Sequence, residues 1–94
     1  PPAKSTEKGA WIYVKGADFD GGASGFVGEV KGKGKIEVRL DDIHSEAAAF
    51  IEFDCSDYTK IKSEGISKLD GQNHDIYFVF SDPNIELKSW KFTK

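Results

Sequence analysis

The side chains that could act in catalysis are few, and they lack the spacing that catalysis needs. His44 and His74 are the only histidines, and neither has a convincing partner for general acid–base chemistry. Cys55 is the only cysteine, so no internal disulfide can form, and we interpret it as a small apolar residue rather than a nucleophile. A glycosidase needs two carboxylates facing each other across a cleft about 5–10 Å wide, which a chain of 94 residues has little room to build. We therefore expect no enzyme activity.

Carboxylates that could bind a metal ion are numerous but not arranged as a known metal loop. The segment Asp18-Phe19-Asp20-Gly21-Gly22 has the composition of a calcium loop. It lacks the ligand spacing and the terminal glutamate of a calcium-binding helix-loop-helix. No zinc spacing or phosphate-binding loop is present either. The residues therefore predict no cofactor, with a structural calcium ion as the alternative.

The charge and hydropathy of the chain argue against two classes of partner. The net charge is -3, and the two signs are mixed along the chain. Broad attraction to nucleic acid or to an anionic membrane is therefore not expected. The longest apolar run, 47–51, is far too short to span a bilayer. The length fits one domain, and no signal peptide is present; in a secreted parent it would lie upstream.

Alternation of apolar and polar residues predicts that these side chains are carried by β-strands. In the clearest case Ile36, Val38 and Leu40 point one way while charged residues point the other. Strands are expected at 11–14, 25–30, 35–41, 49–54, 76–80 and 85–92. With glycine-rich turns and no helical periodicity of useful length, this pattern predicts an all-β fold, either a sandwich or a barrel.

Several connections can be predicted from the same pattern. Gly32-Lys33-Gly34 is expected to close a hairpin, and 58–69 to form an edge strand broken at 64–65. A bulge near Lys88-Ser89 would return Ile85, Leu87 and the later aromatic residues to one buried face. Turns are expected at 18–22, 70–73 and 82–84.

Four segments of the chain together resemble the carbohydrate-binding modules of family 6. They are Gly9-Ala10-Trp11-Ile12, "GKIEVRLD" at 34–41, "NHDIYFVF" at 73–80 and Ser89-Trp90-Lys91-Phe92. The resemblance covers about 9–92 and implies a single antiparallel β-sandwich of the jelly-roll kind. Residues 1–8 are then a linker or a disordered lead-in, and 9–94 the module. Members usually have a further N-terminal strand, whereas the resemblance here begins near their second strand, so we expect either a fragment of a longer protein or a minimal variant of the fold.

The resemblance implies two possible sugar-binding sites, of which one lies at the loop rim. Sugar rings stack on flat aromatic faces, and polar groups beside them bind the hydroxyls. At the rim Tyr58 falls where the family has a tryptophan, and Ser5 falls where it has the second aromatic residue. Glu86 falls where the family has an asparagine. The alternative for Tyr58 is an ordinary half-buried edge residue.

The second implied site is the concave face of one sheet. Trp11 matches a family tryptophan there, and Glu37 falls where a family glutamate is expected. The alternatives are core packing for Trp11 and a solvated face for Glu37. Phe26, Trp90, Phe50 and Tyr77 are expected in the core, although exposure of the last two on one face would indicate an aromatic platform. The family's structural calcium uses an acidic residue where this chain has Lys88.

The function implied by the resemblance is a non-catalytic carbohydrate-binding module. It would bind xylan or a related polysaccharide and hold a tethered glycoside hydrolase of a secreted bacterial protein at its substrate. Two alternatives stay open. One is a structural β-sandwich that packs against a neighbouring catalytic domain without binding sugar, and the other is a calcium-dependent surface binder.

Overall fold

In the computed structural model of the chain, residues 3–18, 25–63 and 73–93 are described, and they form six β-strands. The strands are β1 (Ala3–Lys4), β2 (Trp11–Asp18), β3 (Gly25–Leu40), β4 (Ala47–Lys62), β5 (Asn73–Phe80) and β6 (Glu86–Thr93). All of their pairings are antiparallel. No helix capable of crossing a membrane occurs among the described residues. The turn expected at 18–22 beyond Asp18, the break at 64–65 and most of the turn at 70–73 lie outside the described residues.

Two long strands, β3 and β4, give the fold its two layers. Each has 16 residues. The first half of β3 pairs with β6, and its second half pairs with β5, which also pairs with β2. β4 follows β3 along both halves. We call the half that contains β6 the β6 layer and the half that contains β5 the β5 layer. The predicted antiparallel β-sandwich is confirmed.

The hydrophobic core lies between the two layers, and it is built by alternate residues of each strand. Phe26 in the β6 layer packs against Phe78 in the β5 layer, with ring centroids 5.6 Å apart. Both rings are fully buried. The other large core side chains are Val30, Ile36, Val38, Ile51, Phe53, Ile76, Phe80, Ile85 and Leu87. Burial on this scale is the main source of stability, and it fixes which residues face outward.

The glycines at 32 and 34 do not close a hairpin, as expected from the sequence, but carry β3 from one layer to the other. Gly32 and Gly34 have φ of 114° and 144°, which side chains other than glycine rarely adopt. A Cβ on Gly32 would lie 2.9 Å from the carbonyl oxygen of Asn84. The hairpin prediction was wrong because a glycine pair is needed both in tight turns and where a strand passes close to another backbone.

The N-terminal segment joins the sheet through β1. Ala3 and Lys4 pair with β6, and Ser5 is only 2% exposed. The Ser5 hydroxyl donates to the carbonyl oxygen of Asp82 at 2.8 Å and accepts from the backbone N–H of Ile85 at 2.9 Å. Residues 3–5 are therefore held against β6 and the turn before it.

The predicted bulge in the last strand is confirmed. Glu29 pairs with Ser89 and Val30 with Leu87, so that Lys88 is the extra residue. This shift turns Trp90 towards the core, where its ring lies 4.9 Å from that of Phe78. Trp90 closes the core only in part, because 40% of its surface stays exposed.

Candidate functional site

The outward side of the β5 layer carries aromatic residues at both margins and charges between them. The strand register gives two rows across the layer. One row runs from Trp11 through Val79 and Glu37 to Phe50, and the other runs from Tyr13 through Tyr77 to Arg39. We call this surface the outer face. Trp11 and Phe50 are three strands apart, about 14 Å at the usual strand spacing.

The tryptophan side of the outer face is a cluster of three rings. The Tyr77 centroid lies 5.7 Å from that of Trp11 and 5.0 Å from that of Tyr13. Trp11 is 53% exposed and Tyr13 42%, and the Tyr13 hydroxyl donates to Asp75 Oδ2 at 3.0 Å. The hydrogen bond to Asp75 is the main cause that raises the pKa of Tyr13. The cluster offers an indole face to a ligand, while its neighbours restrict the ring's movement.

The other margin of the outer face is Phe50, which is 48% exposed. The prediction that Phe50 lies in the core is therefore wrong, and Tyr77 is only half-buried. Lys35 Nζ lies 5.6 Å above the Phe50 ring. The sequence analysis gave exposure of Phe50 and Tyr77 on one face as the sign of an aromatic platform. The exposed position of Phe50 agrees with that alternative.

Charged side chains form a fixed hydrogen-bonded row in the middle of the outer face. Glu37 Oε1 accepts from Arg39 Nε at 3.0 Å and from Nη2 at 2.6 Å, and Glu37 Oε2 lies 3.3 Å from Lys35 Nζ. Arg39 Nη1 donates to the carbonyl oxygen of Ile43 at 2.6 Å. The Arg39 hydrogen bonds are the first cause of a lowered pKa for Glu37, so it is ionised at neutral pH. The row presents N–H donors and carboxylate lone pairs to a hydroxyl-rich ligand.

A shallow depression of about 220 Å³ lies along this row. Its lining includes the side chains of Lys35, Glu37 and Arg39, with Val79 as the apolar floor. The depression shows that the outer face is recessed in the middle. The structure therefore places Trp11 and Glu37, which the sequence assigned to one site, two strands apart on one surface.

Tyr58 and Glu86, two of the predicted rim residues, are also brought into contact. They contact each other rather than forming an open surface beside a second ring. Tyr58 lies where three residues of β4, 56–58, stand opposite Lys31 alone, and its hydroxyl donates to Glu86 Oε1 at 2.9 Å. The ammonium groups of Lys31 and Lys88 lie 5.7 and 5.2 Å from the centroid of the Tyr58 ring. Partial burial, followed by the Glu86 contact, raises the pKa of Tyr58. Its ring thus already has cationic and carboxylate partners.

Ser5 does not contribute to a rim surface. Its side chain is buried and bonded to the turn before β6. Of the two positions where the resemblance implies aromatic rim residues, only Tyr58 is aromatic, so among the described residues a sugar there would lack the second ring. For stacking, the outer face is the better site of the two.

Sequence reasoning missed Tyr13, Lys35 and Arg39 as parts of the candidate site. A signal was present for each, because a residue two positions from Trp11 or Glu37 on the same strand lies on the same face. What the pattern did not supply was the strand order that brings β2, β5, β3 and β4 side by side.

The described part of the chain contains no cluster of metal ligands, and it pairs one histidine with an aspartate. No three His, Cys, Asp or Glu side chains within residues 3–18, 25–63 and 73–93 are placed to hold a metal ion. His74 Nδ1 lies 2.7 Å from Asp41 Oδ2, where the ends of β3 and β5 meet. Asp20 lies outside the described residues, so the segment 18–22, considered as an alternative calcium site, has no structural test.

Comparison with known proteins gives no match to a protein-family model or to a curated protein sequence. Solved structures do match. A glycoside hydrolase family 43 arabinoxylan arabinofuranohydrolase from Bacillus subtilis, in complex with cellotetraose, is 30% identical with a TM-score of 0.86. The match covers 99% of this chain and 21% of the hydrolase, so the chain spans about a fifth of that protein's length.

Two smaller structures match over most of their own length. A family 6 module from Clostridium stercorarium, in complex with cellobiose, is 25% identical with a TM-score of 0.81, over 94% of this chain and 70% of that one. A family 6 module from Clostridium cellulolyticum, in complex with xylose, is 26% identical with a TM-score of 0.81, over 95% and 75%. These likenesses confirm the fold that the sequence resemblance implied.

Proposed function

We propose that this chain, which has the fold of the family 6 carbohydrate-binding modules, is a non-catalytic module that binds a plant β-glycan on its outer face. The observation that carries the proposal is the row Trp11–Val79–Glu37–Phe50, in which exposed rings flank fixed polar groups on one recessed surface. A flat indole can cover the apolar side of a pyranose ring, and the charged row can bind its hydroxyls.

The chemistry of the outer face suits a neutral polymer more than a single sugar. Lys35, Glu37 and Arg39 neutralise one another in part, so the row offers hydrogen bonds without a strong net field. The distance between the aromatic margins accommodates more than one sugar ring. Xylan is our first candidate, because the matching structures include an arabinoxylan-acting hydrolase and a module with bound xylose.

We place the module in a secreted protein beside a glycoside hydrolase domain. A match to a fifth of a hydrolase is what an accessory domain would give. A weakly binding module raises the local concentration of its tethered partner at the polymer, so tight binding is not required. Catalysis would then belong to the partner.

The proposal is tested by isothermal titration calorimetry with xylohexaose, cellohexaose and laminarihexaose, run beside affinity gels containing the corresponding polymers. We expect measurable binding to at least one β-linked hexaose and retardation in the matching gel. A folded domain that binds none of them would contradict the proposal. It would favour the alternative of a structural module, for which the stability of a parent hydrolase with and without this domain is the direct test.

A further inference from the structure

The outward side of the β6 layer, away from the outer face, is strongly basic. Lysine ammonium groups project there from β3, β4 and β6, and we call this surface the basic face: Lys31, Lys60, Lys62, Lys88 and Lys91. Five lysines against three carboxylates of this surface, Glu29, Glu86 and the neighbouring Asp57, give a formal charge of +2. The chain as a whole carries -3, so positive charge is concentrated on one side of the molecule.

Three lysines of the basic face, Lys60, Lys62 and Lys91, lie apart from the Tyr58 ring, over which Lys31 and Lys88 are placed. The two glutamates interact with hydroxyl groups, since Ser89 Oγ donates to Glu29 at 3.2 Å and Tyr58 donates to Glu86 at 2.9 Å. Within residues 3–18, 25–63 and 73–93, no ion pair involves a lysine of this face. Four of the five side chains are classed as exposed, with Lys31 half-buried. An incoming anion would therefore not have to displace an internal ion pair.

A groove of about 320 Å³ runs through the basic face. Lys60 and Lys91 line it, together with Val27, Glu29, Ser89 and the Trp90 segment of β6, whose ring is turned towards the core. The groove thus combines two ammonium groups with one carboxylate and the apolar side chain of Val27, so its occupant should carry anionic groups on a body that has a small apolar side. A sugar ring with a carboxylate has this combination.

We propose that the basic face is a second binding surface, which binds uronic-acid residues of an acidic polysaccharide. Lysine suits this ligand, because a single ammonium group pairs with a single carboxylate in many orientations. Phosphate backbones are commonly bound through arginine forks, and the only arginine of the chain is Arg39, on the outer face. Lysines without an arginine, beside the apolar side chain of Val27, therefore favour a polyuronate over a nucleic acid.

The test compares polygalacturonate with its methyl-esterified form, which has the same backbone without the charge. Affinity electrophoresis and calorimetry should show binding to the acid at low salt, with at least about fivefold weaker binding to the ester. Raising the salt from about 0.01 to 0.15 M should weaken binding to the acid, because the Debye length shortens from about 30 to 8 Å.

Matched variants separate the basic face from bulk charge. Lys60→Gln with Lys91→Gln should weaken polygalacturonate binding at least about fivefold. Lys15→Gln with Lys33→Gln, two exposed lysines elsewhere, removes the same charge and should leave binding unchanged. Trp11→Ala should leave polyuronate binding unchanged as well, which keeps this inference distinct from the proposed function.

Three results would overturn the inference. They are equal affinity for acid and ester, equal losses in the two double variants, and binding of single-stranded DNA as tight as that of polygalacturonate. Circular dichroism of each variant shows whether the fold is kept. Thermal melting with and without polygalacturonate supplies a second readout. Only the Lys60→Gln, Lys91→Gln variant should lose the rise in melting temperature that the polymer causes.

Discussion

Replacing Trp11 by alanine is expected to weaken β-glycan binding by about tenfold. A tryptophan can bury about 150–250 Å², and 53% of Trp11 is exposed, so roughly 100 Å² is available to a ligand. At about 25 cal/mol per Å² this area corresponds to an upper limit of about 2.5 kcal/mol. A sugar covers one side of the indole, so about half of that, near 1.3 kcal/mol or about tenfold in affinity, is expected to be lost.

The same variant should remain folded. Trp11 makes an edge contact with Tyr77, and losing such a contact costs about 0.5–1.5 kcal/mol of folding stability. Calorimetry with the best-bound hexaose measures the affinity, and urea unfolding followed by Trp90 fluorescence measures stability. Trp90→Phe is the matched control, because it removes the other indole while keeping a ring against Phe78. The reasoning is refuted if Trp11→Ala binds as the wild type does, or if the control loses as much affinity.

Three further changes test other parts of the account. Because the pKa of Glu37 is lowered in the folded chain, mainly by Arg39, its ionised form adds stability above the ordinary value of 4.5, and that stability is lost as pH falls through the folded pKa. Glu37→Gln should therefore make the melting temperature fall less steeply as the pH is lowered. At neutral pH it should lower the free energy of unfolding by no more than about 1 kcal/mol, because solvent screens the Glu37–Arg39 pair. A melting temperature that depends on pH as in the wild type would count against this. Gly32→Ala should destabilise by at least about 1–3 kcal/mol in urea unfolding, because its Cβ would meet the Asn84 carbonyl and its φ is positive; a wild-type midpoint would show that β3 can be rearranged there. Tyr58→Phe should leave neutral-glycan affinity unchanged in calorimetry, whereas a marked loss would relocate the sugar to the rim.

Much of the fold could be predicted because alternation specifies which side of each strand is buried. Ile36 and Val38 are in the core, as their spacing required, and Glu37 lies on the opposite side. Even the bulge at Lys88 could be predicted, because the parity of apolar residues changes there. The passage of β3 between layers could not, since a glycine pair has the same local signature in a hairpin and in a crossing strand.

The candidate site could be predicted only in outline. Trp11 and Glu37 were assigned to one face by resemblance, and the register confirms that they share it. Phe50 was expected in the core, yet it alternates with the buried Ile51 and Phe53, and its strand position turns it outward. The state of Tyr58 depends on lysines and a glutamate distant in sequence, which no local pattern shows.

The most direct test of the central claim is the location of the bound sugar. Backbone amide shifts of the isotope-labelled domain, followed during titration with xylohexaose or the best-bound hexaose, provide it residue by residue. We predict that the largest changes occur at Trp11, Val79, Glu37 and Phe50. Changes confined to Tyr58 and Glu86, or no changes at saturating sugar, would contradict the assignment of binding to the outer face.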